Sequence, residues 1–414
     1  MKKKIFVRAP VLSQSGYGEQ SRFALRALRS REDLFEIYVS PIPWGKTGWV
    51  WEDNEFRQWM DSRIVETQLL IQQQQMNPDL SLQITIPNEF QKIAPENIGF
   101  TAGIETTSVA PQWLQQGNIM DKILVVSTHA KETYENTVFQ AKNQQTGDVF
   151  PYRLETPLEV VWENTPRKEP EAIPGFELPY TNNMLMVSQF SPRKNFVNSL
   201  RWWVEEFKDE EVGLVVKTNT AGNSRMDLEA TENMLKQILS THPDRKCKVH
   251  LLHGDLSAGQ MTWLYNHNKI GALVNIAHGE GFGLPMFEAA REGMPIVTVG
   301  WSGQMDFLHH DGKNYFEEVD FTLEPVSQQA VWDGVIQADS MWAYADKDSY
   351  KNALRNVLRD SEGAKQRALE LKELVNEKFS DENLFKGFVD SIYGEQIDLD
   401  GWLSELEGDL VEQE

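Results

Sequence analysis

The sequence predicts an α/β protein of two halves, each a parallel sheet with helices on both faces, followed by C-terminal helices. Three observations carry this. Short apolar runs alternate with helical stretches over the first 160 residues, a proline-rich segment interrupts them, and the alternation then restarts. At ~150 residues per domain, 414 residues make two or three domains.

The strand-like runs of the first half are KIFV, FEIYV, LQITI, IGFTA, KILVV and LEVVW, with helical stretches such as EQSRFALRALRS and APQWLQQG between them. The opening MKKKIFVRAP has three lysines, but Arg8 and Pro10 break the apolar run after them, so it reads as a first strand and not as a signal segment. Residues 163–183 carry Pro166, Pro170, Pro174 and Pro179 with little apolar periodicity, as an interdomain linker does. The second set of strands is MLMVSQ, VGLVVKT, KVHLL, GALVNI and PIVTV. Helices are expected near 196–208, 226–240, 258–268 and 286–292, and the chain beyond about 325 is expected to be largely helical. Residues 394–414 hold eight acids and no Lys or Arg, the pattern of a solvated, partly disordered tail.

Sixty-two acidic and 40 basic residues give a net charge of −22, which argues against nucleic acid and anionic membranes, whose affinity rests on basic residues. The single cysteine, Cys247, excludes an internal disulfide framework and a thiolate zinc cluster, and it suits a reducing, cytoplasmic compartment. No apolar run approaches the ~20 residues of a membrane span.

Open α/β sheets bind ligands at the carboxyl ends of their strands, so the loops there are the candidate site. The densest is NIAHGEGFGLPMFEAAREGMPIV, 275–297. Gly279, Gly281 and Gly283 permit sharp turns and close backbone approach, and Pro285 suits a helix start whose amides face an anion. Glu280 and Glu288 offer carboxylates for sugar and ribose hydroxyls. A tight strand–turn–helix connection with a solvated glutamate is the competing reading. Arg193 and Lys194, in VSQFSPRKNF, stand between a strand and a helix, where their charges would neutralise a diphosphate or simply flank the helix. Lys217 in GLVVKTNT is a further cation. Gly16 and Gly18 permit a tight turn at a helix start, and Gly300, Ser302 and Gly303 would cover a phosphate with amides or form a plain turn. Glu105, in GIETTSVAPQW, ends another strand, and Ser127 and His129 follow the next.

Other patterns fail. Pro41 and Pro43 interrupt the segment before Gly45–Thr47 that would make a P-loop, and His250 and His253 lack carboxylates at metal-ligand spacing. His309 and His310 read as surface residues. The thirteen tryptophans, Trp202 and Trp203 among them, are mostly core, with one or two available to stack on a sugar or a base.

HGEGFGLPMFEAAREGMPIV resembles the signature of the large retaining, sugar-nucleotide-dependent glycosyltransferase family called group 1 or family four. That signature has a glutamate, seven residues and a second glutamate around GFGLP, as Glu280 and Glu288 stand here. VSQFSPRKNF resembles the family's pyrophosphate-contacting segment, with Gln189 where an arginine usually opens it, and 103–135 resembles its acceptor-domain segment. No histidine stands at the strand end where many relatives place one; Glu105 is nearest.

The resemblance implies a GT-B architecture: two Rossmann-like domains with parallel sheets facing across a cleft, and C-terminal helices packing back. Residues 1–165 are then the acceptor-side domain, 166–380 the nucleotide-sugar domain, and 381–414 a returning helix plus tail. It implies transfer of a hexose from a UDP or GDP sugar to a hydroxyl of a glycan, lipid-linked sugar or small molecule, with retention and with no metal or other cofactor. Glu280 would touch the sugar, Glu288 the ribose, and Arg193 and Lys194 the diphosphate, with Lys217 as a substitute cation. The amides of Gly281, Phe282, Gly283 and Leu284, the Gly16–Gly18 loop and the Ser302–Gly303 turn would approach phosphate or acceptor, and Glu105 would orient the acceptor. The leaving phosphate itself would help deprotonate the incoming hydroxyl, and domain closure would exclude water. Three other readings stay open: a phage-type glucosyltransferase acting on modified DNA bases, a sugar-nucleotide epimerase, and a non-catalytic sugar-nucleotide-binding protein.

Overall fold

The computed structural model describes residues 2–220 and 222–394, so the acidic tail expected at 394–414 lies almost wholly outside the described residues. The first half comprises β1 (Lys3–Ala9), α1 (Gly16–Arg29), β2 (Phe35–Pro41), α2 (Glu55–Gln72), β3 (Leu80–Ile84), β4 (Glu96–Thr101), α3 (Pro111–Gly117), β5 (Lys122–Val125), α4 (Thr128–Asn136), β6 (Phe139–Lys142), β7 (Val149–Tyr152) and β8 (Leu158–Val160). Its sheet runs β2-β1-β3-β4-β5-β8, all parallel, and β6 and β7 form a separate antiparallel hairpin. Burial on both faces explains the near-continuous apolar runs of these strands: Ile5, Val7, Leu80, Leu82, Ile123 and Leu124 are wholly buried.

The second half repeats the plan with β9 (Asn183–Val187), α5 (Phe196–Phe207), β10 (Gly213–Thr218), α6 (Arg225–Leu239), β11 (Lys248–His253), α7 (Ala258–Tyr265), β12 (Ile270–Asn275), α8 (Leu284–Glu292), β13 (Ile296–Val299), α9 (Met305–Leu308), β14 (His309–His310), β15 (Lys313–Asn314) and β16 (Glu317–Val319). The sheet order is β11-β10-β9-β12-β13-β16, again parallel.

Beyond about 325 the expectation of a largely helical chain holds only from residue 347. Before it, β17 (Phe321–Pro325) and β18 (Met341–Ala345) pair as an antiparallel hairpin, and Ala343 N–H donates to His278 O (2.9 Å), which ties the hairpin to the loop after β12. Then come α10 (Lys347–Arg359), α11 (Ser361–Lys378) and α12 (Asp381–Tyr393). α11 packs on α8, whereas α12 returns to the first half, where Phe388 meets Phe23 and Phe100 at ring-centroid distances of 5.6 and 5.7 Å. Phe379, between the two helices, packs on Phe287 of the second half and Trp162 of the first. A continuous apolar core therefore joins the halves behind the cleft.

Candidate functional site

The carboxyl ends of both sheets open onto one cleft of about 1080 Å³. Loops after β1, β2, β4 and β8 line one wall, and those after β9, β10, β11 and β12 the other.

At its centre the structure brings together Arg193, Lys194, Glu280 and Glu105. Backbone turns fix the first pair: Lys194 N–H donates to Ser191 O (3.2 Å) and Asn195 N–H to Pro192 O (3.0 Å), and Asn195 enters α5 at φ +50°. Asparagine tolerates that left-handed conformation. Lys194 Nζ lies 2.6 and 2.7 Å from the two Glu280 oxygens. Arg193 Nη1 donates to Gly279 O (2.9 Å) and Glu280 Oε2 (3.2 Å), and its Nε is 3.4 Å from Glu105 Oε1. Glu280 is 5% exposed. Burial raises its pKa, but Lys194 and Arg193 outweigh burial and hold it below the ordinary carboxylate value. Glu105 is pushed up, by burial and by Glu280, against the pull of Arg193. Lys194 is pulled down by burial and Arg193, whereas in Arg193 the two carboxylates overcome burial and the guanidinium stays charged. The quartet thus sets two basic side chains against two acidic ones at the cleft centre.

The loop glycines serve the seam between halves as well as the cleft. A Cβ on Gly281 would lie 1.8 Å from Ala102 O, and one on Gly279 2.2 Å from Glu105 O. No side-chain rotation relieves a clash between backbones. Gly283 caps α8 at φ +97°, and Phe282 packs on Phe287 and Phe307 while still lining the cleft with Leu284. Ser302 and Gly303 stand behind the loop and do not line the cleft: Glu280 N–H donates to Ser302 Oγ (3.0 Å) and Gly303 N–H to Glu280 O (2.9 Å). They position Glu280.

Glu288, one turn into α8, accepts from the Tyr265 hydroxyl (2.9 Å) and is raised by burial against Arg291. The ammonium of Lys217, at the end of β10, makes no hydrogen bond or ion pair among the described residues. Burial lowers it, while Asp255 and Glu288 support its charge. Gly16 faces open space in the cleft, but Gly18 does not line it: its Cα abuts Ser13 O, where a Cβ would sit at 2.0 Å. Gly18 therefore serves the turn. Ser127 caps α4 and stands away from the cleft, as does His129, whose ring lies edge-on to Trp301 at 4.9 Å and which burial pulls down to about 4.

The structure adds cleft residues that sequence reasoning missed. The Tyr17 hydroxyl accepts from Ala102 N–H (3.2 Å) and Gly103 N–H (3.1 Å), which fixes the loop before Glu105. Glu163, 3% exposed, has no hydrogen bond among the described residues, and burial and Glu19 push it up to about 8. Trp44, Trp49 and Trp51 line the wall of the first half. Among the described residues no group of three or more His, Cys, Asp or Glu is placed to hold a metal ion, and no helix is long and apolar enough to cross a membrane.

A family model described as Family 4 Glycosyltransferase in conflict systems matches residues 271–388, which include the Glu280–Glu288 motif. No curated protein matches the sequence. Among solved structures, sucrose-phosphate synthase from Thermosynechococcus elongatus is similar at TM-score 0.59 and 13% identity, covering 100% of both chains. HepE from Anabaena in complex with UDP-glucose is similar at TM-score 0.56 and 12% identity, over 95% of this chain and 100% of that one. The apo lipopolysaccharide outer core galactosyltransferase WaaB is similar at 0.53 and 13%, over 94% and 99%. The chain has the fold of GT-B glycosyltransferases: two α/β Rossmann-like sheets facing across a cleft, with C-terminal helices packed back.

Proposed function

We propose that the protein transfers a hexose from a nucleoside-diphosphate sugar to an acceptor hydroxyl with retention of anomeric configuration, independently of metal. The single observation that carries this reading is the meeting of Arg193, Lys194 and Glu280 at the cleft centre, from loops at the carboxyl ends of adjacent strands β9 and β12. The partial family match over that motif and the likeness to HepE, which was captured with UDP-glucose, support the donor class.

In this reading residues from about 166 to 380 hold the donor and those up to about 165 receive the acceptor. Glu288 takes the ribose diol, with Tyr265 fixing its carboxylate. Lys194, Arg193 and Lys217 meet the diphosphate with the amides of the Gly281–Leu284 loop, and stabilise the charge that develops as the sugar–oxygen bond breaks. Glu280, kept ionised by its cations, accepts hydrogen bonds from the transferred sugar. The acceptor oxygen bonds to the anomeric carbon on the face the phosphate leaves, and the departing phosphate oxygen takes the hydroxyl proton. Glu105 orients the acceptor through its tie to Arg193. Charged side chains then do the work a metal does elsewhere. The reading places this chemistry in the cytoplasm, a reducing compartment that suits a chain whose single cysteine, Cys247, is a free thiol.

The test is nucleotide release from UDP-glucose, UDP-N-acetylglucosamine and GDP-mannose, with and without acceptor. Lys194→Ala and Glu280→Ala should each lower turnover about a hundredfold or more, the scale of one lost transition-state contact. Near-native turnover in both variants would overturn the assignment. Epimerised donor without acceptor, tight binding without turnover, or turnover only on hydroxymethylated DNA would each replace it with another reading.

A further inference from the structure

The proposed donor site occupies one wall of the cleft and leaves the opposite wall without an occupant. That wall carries an unusual burden of exposed tryptophan. In the β2–α2 connection Trp49 is 74% and Trp51 96% exposed, while Val50 between them is 7% exposed. Both indoles line the cleft, as does Val50 between them.

The segment is tied down. Trp49 forms an antiparallel bridge with Ser13, Gln14 N–H donates to Gly48 O (2.8 Å) and Val50 N–H to Leu12 O (2.9 Å). Arg57 Nη1 caps Val50 O at 2.7 Å. At one end Trp44 lies 4.4 Å from the Tyr17 ring, whose hydroxyl fixes the loop leading to Glu105. Between Trp44 and Trp49, Gly48 reaches the second half: a Cβ there would be 4.0 Å from Asp255 Oδ2. Two large apolar rings held in water on a braced frame mark a recognition surface.

We propose that Trp49 and Trp51 are the acceptor-docking platform and that the acceptor is a neutral saccharide. This rests on the transfer reading above. An indole face accepts the C–H face of a sugar ring, while nearby charge pairs meet its hydroxyls: Glu19 with Arg22, and Glu55 with Arg29, line the same wall. Nucleic acid is the poorer fit, because these basic groups are already paired with carboxylates and the chain carries −22. A lipid tail is poorer still, because charge pairs interrupt the wall.

The experiment measures turnover of the three named donors against glucose, galactose, mannose, N-acetylglucosamine, maltose, lactose and cellobiose. It uses the native protein, the W49A/W51A double variant and W49F/W51F, with UDP and GDP affinity followed by calorimetry. Both side chains are exposed, so the variants should fold. The expected result is saccharide-stimulated turnover whose half-saturating concentration rises at least tenfold in W49A/W51A. Most of the loss should return in W49F/W51F, with nucleotide affinity unchanged throughout. Equal half-saturation in all three proteins overturns the platform, and stimulation by none of the saccharides overturns the acceptor class. Weakened nucleotide binding in W49A/W51A would reassign the indoles to the donor's base. If the native protein binds neither UDP nor GDP, the transfer reading itself falls, and the platform with it.

Discussion

Replacing Glu163 by glutamine should remove most of a pH dependence of stability that one buried carboxyl imposes. Glu163 lies at the start of the connection between the halves, 3% exposed, beside Glu19 and Arg26 and with no hydrogen-bond partner among the described residues. Burial first, then the Glu19 charge, push it from an ordinary 4.5 to about 8, and Arg26 only partly offsets them. The folded value exceeds the unfolded one, so the native state holds the extra proton across that interval. The stabilisation is complete below pH ~4.5, falls as pH rises, and is gone above ~8. At ~1.36 kcal/mol per pH unit, the interval amounts to at most ~5 kcal/mol. For a chain of this length unfolding near ~0.9 kcal/mol/K, that is a relative Tm change of ~5 °C. The assay is thermal unfolding of native protein and Glu163→Gln at half-unit steps from pH 5 to 8.5. Glutamine has the same shape and no proton to lose, so Tm of the native protein should fall against the variant's as pH rises. Glu105 and Glu288, also raised by burial, affect both proteins alike and cancel in the difference. Parallel Tm curves would refute the reasoning and show that water reaches the carboxyl.

Two further outcomes follow from the contacts between halves, and a third from the Lys217 ammonium. Gly281→Ala places a methyl against Ala102 O, so the two loops must part. Scattering should give a larger radius of gyration and turnover should collapse, with circular dichroism unchanged. Asp306 Oδ2 accepts from Thr128 N–H (2.8 Å), Thr128 Oγ1 (3.1 Å) and Trp162 Nε1 (2.7 Å), so Asp306→Ala should lower unfolding stability by ~2–4 kcal/mol in denaturant. Lys217→Ala should weaken UDP or GDP binding about tenfold by calorimetry without changing Tm by more than ~1 °C, because its ammonium is bonded to no described residue.

Much of the fold was legible because its strands are buried on both faces and so read as apolar runs. β16 escaped because Glu317–Val319 has three residues, two of them glutamates. α2 escaped because only Met60, Ile64 and Thr67 are buried in eighteen residues, too narrow a stripe to stand out. The β17–β18 hairpin hid in a region expected to be helical, since its pairing is non-local and its faces half exposed.

At the site, 278–297 was legible because its constraints are local: glycine geometry, a proline at a helix start, and two glutamates on one connection. Glu163, Tyr17 and the tryptophan loop were not, because what makes them notable is burial or company supplied by distant elements. Ser302 and Gly303 show the converse: a turn that reads as a phosphate cover instead braces Glu280 from behind.

The seam where Gly279 and Gly281 meet the carbonyls of Glu105 and Ala102 bears on engineering. Joining the first half of one protein of this architecture to the second half of another is a natural route to hybrid proteins. Here the graft must carry a 102–105 turn that follows the same path, because bare α-carbons on one partner are moulded to main-chain oxygens on the other. Mix-and-match libraries should therefore vary that turn together with residues 279–281, as a single inherited cassette.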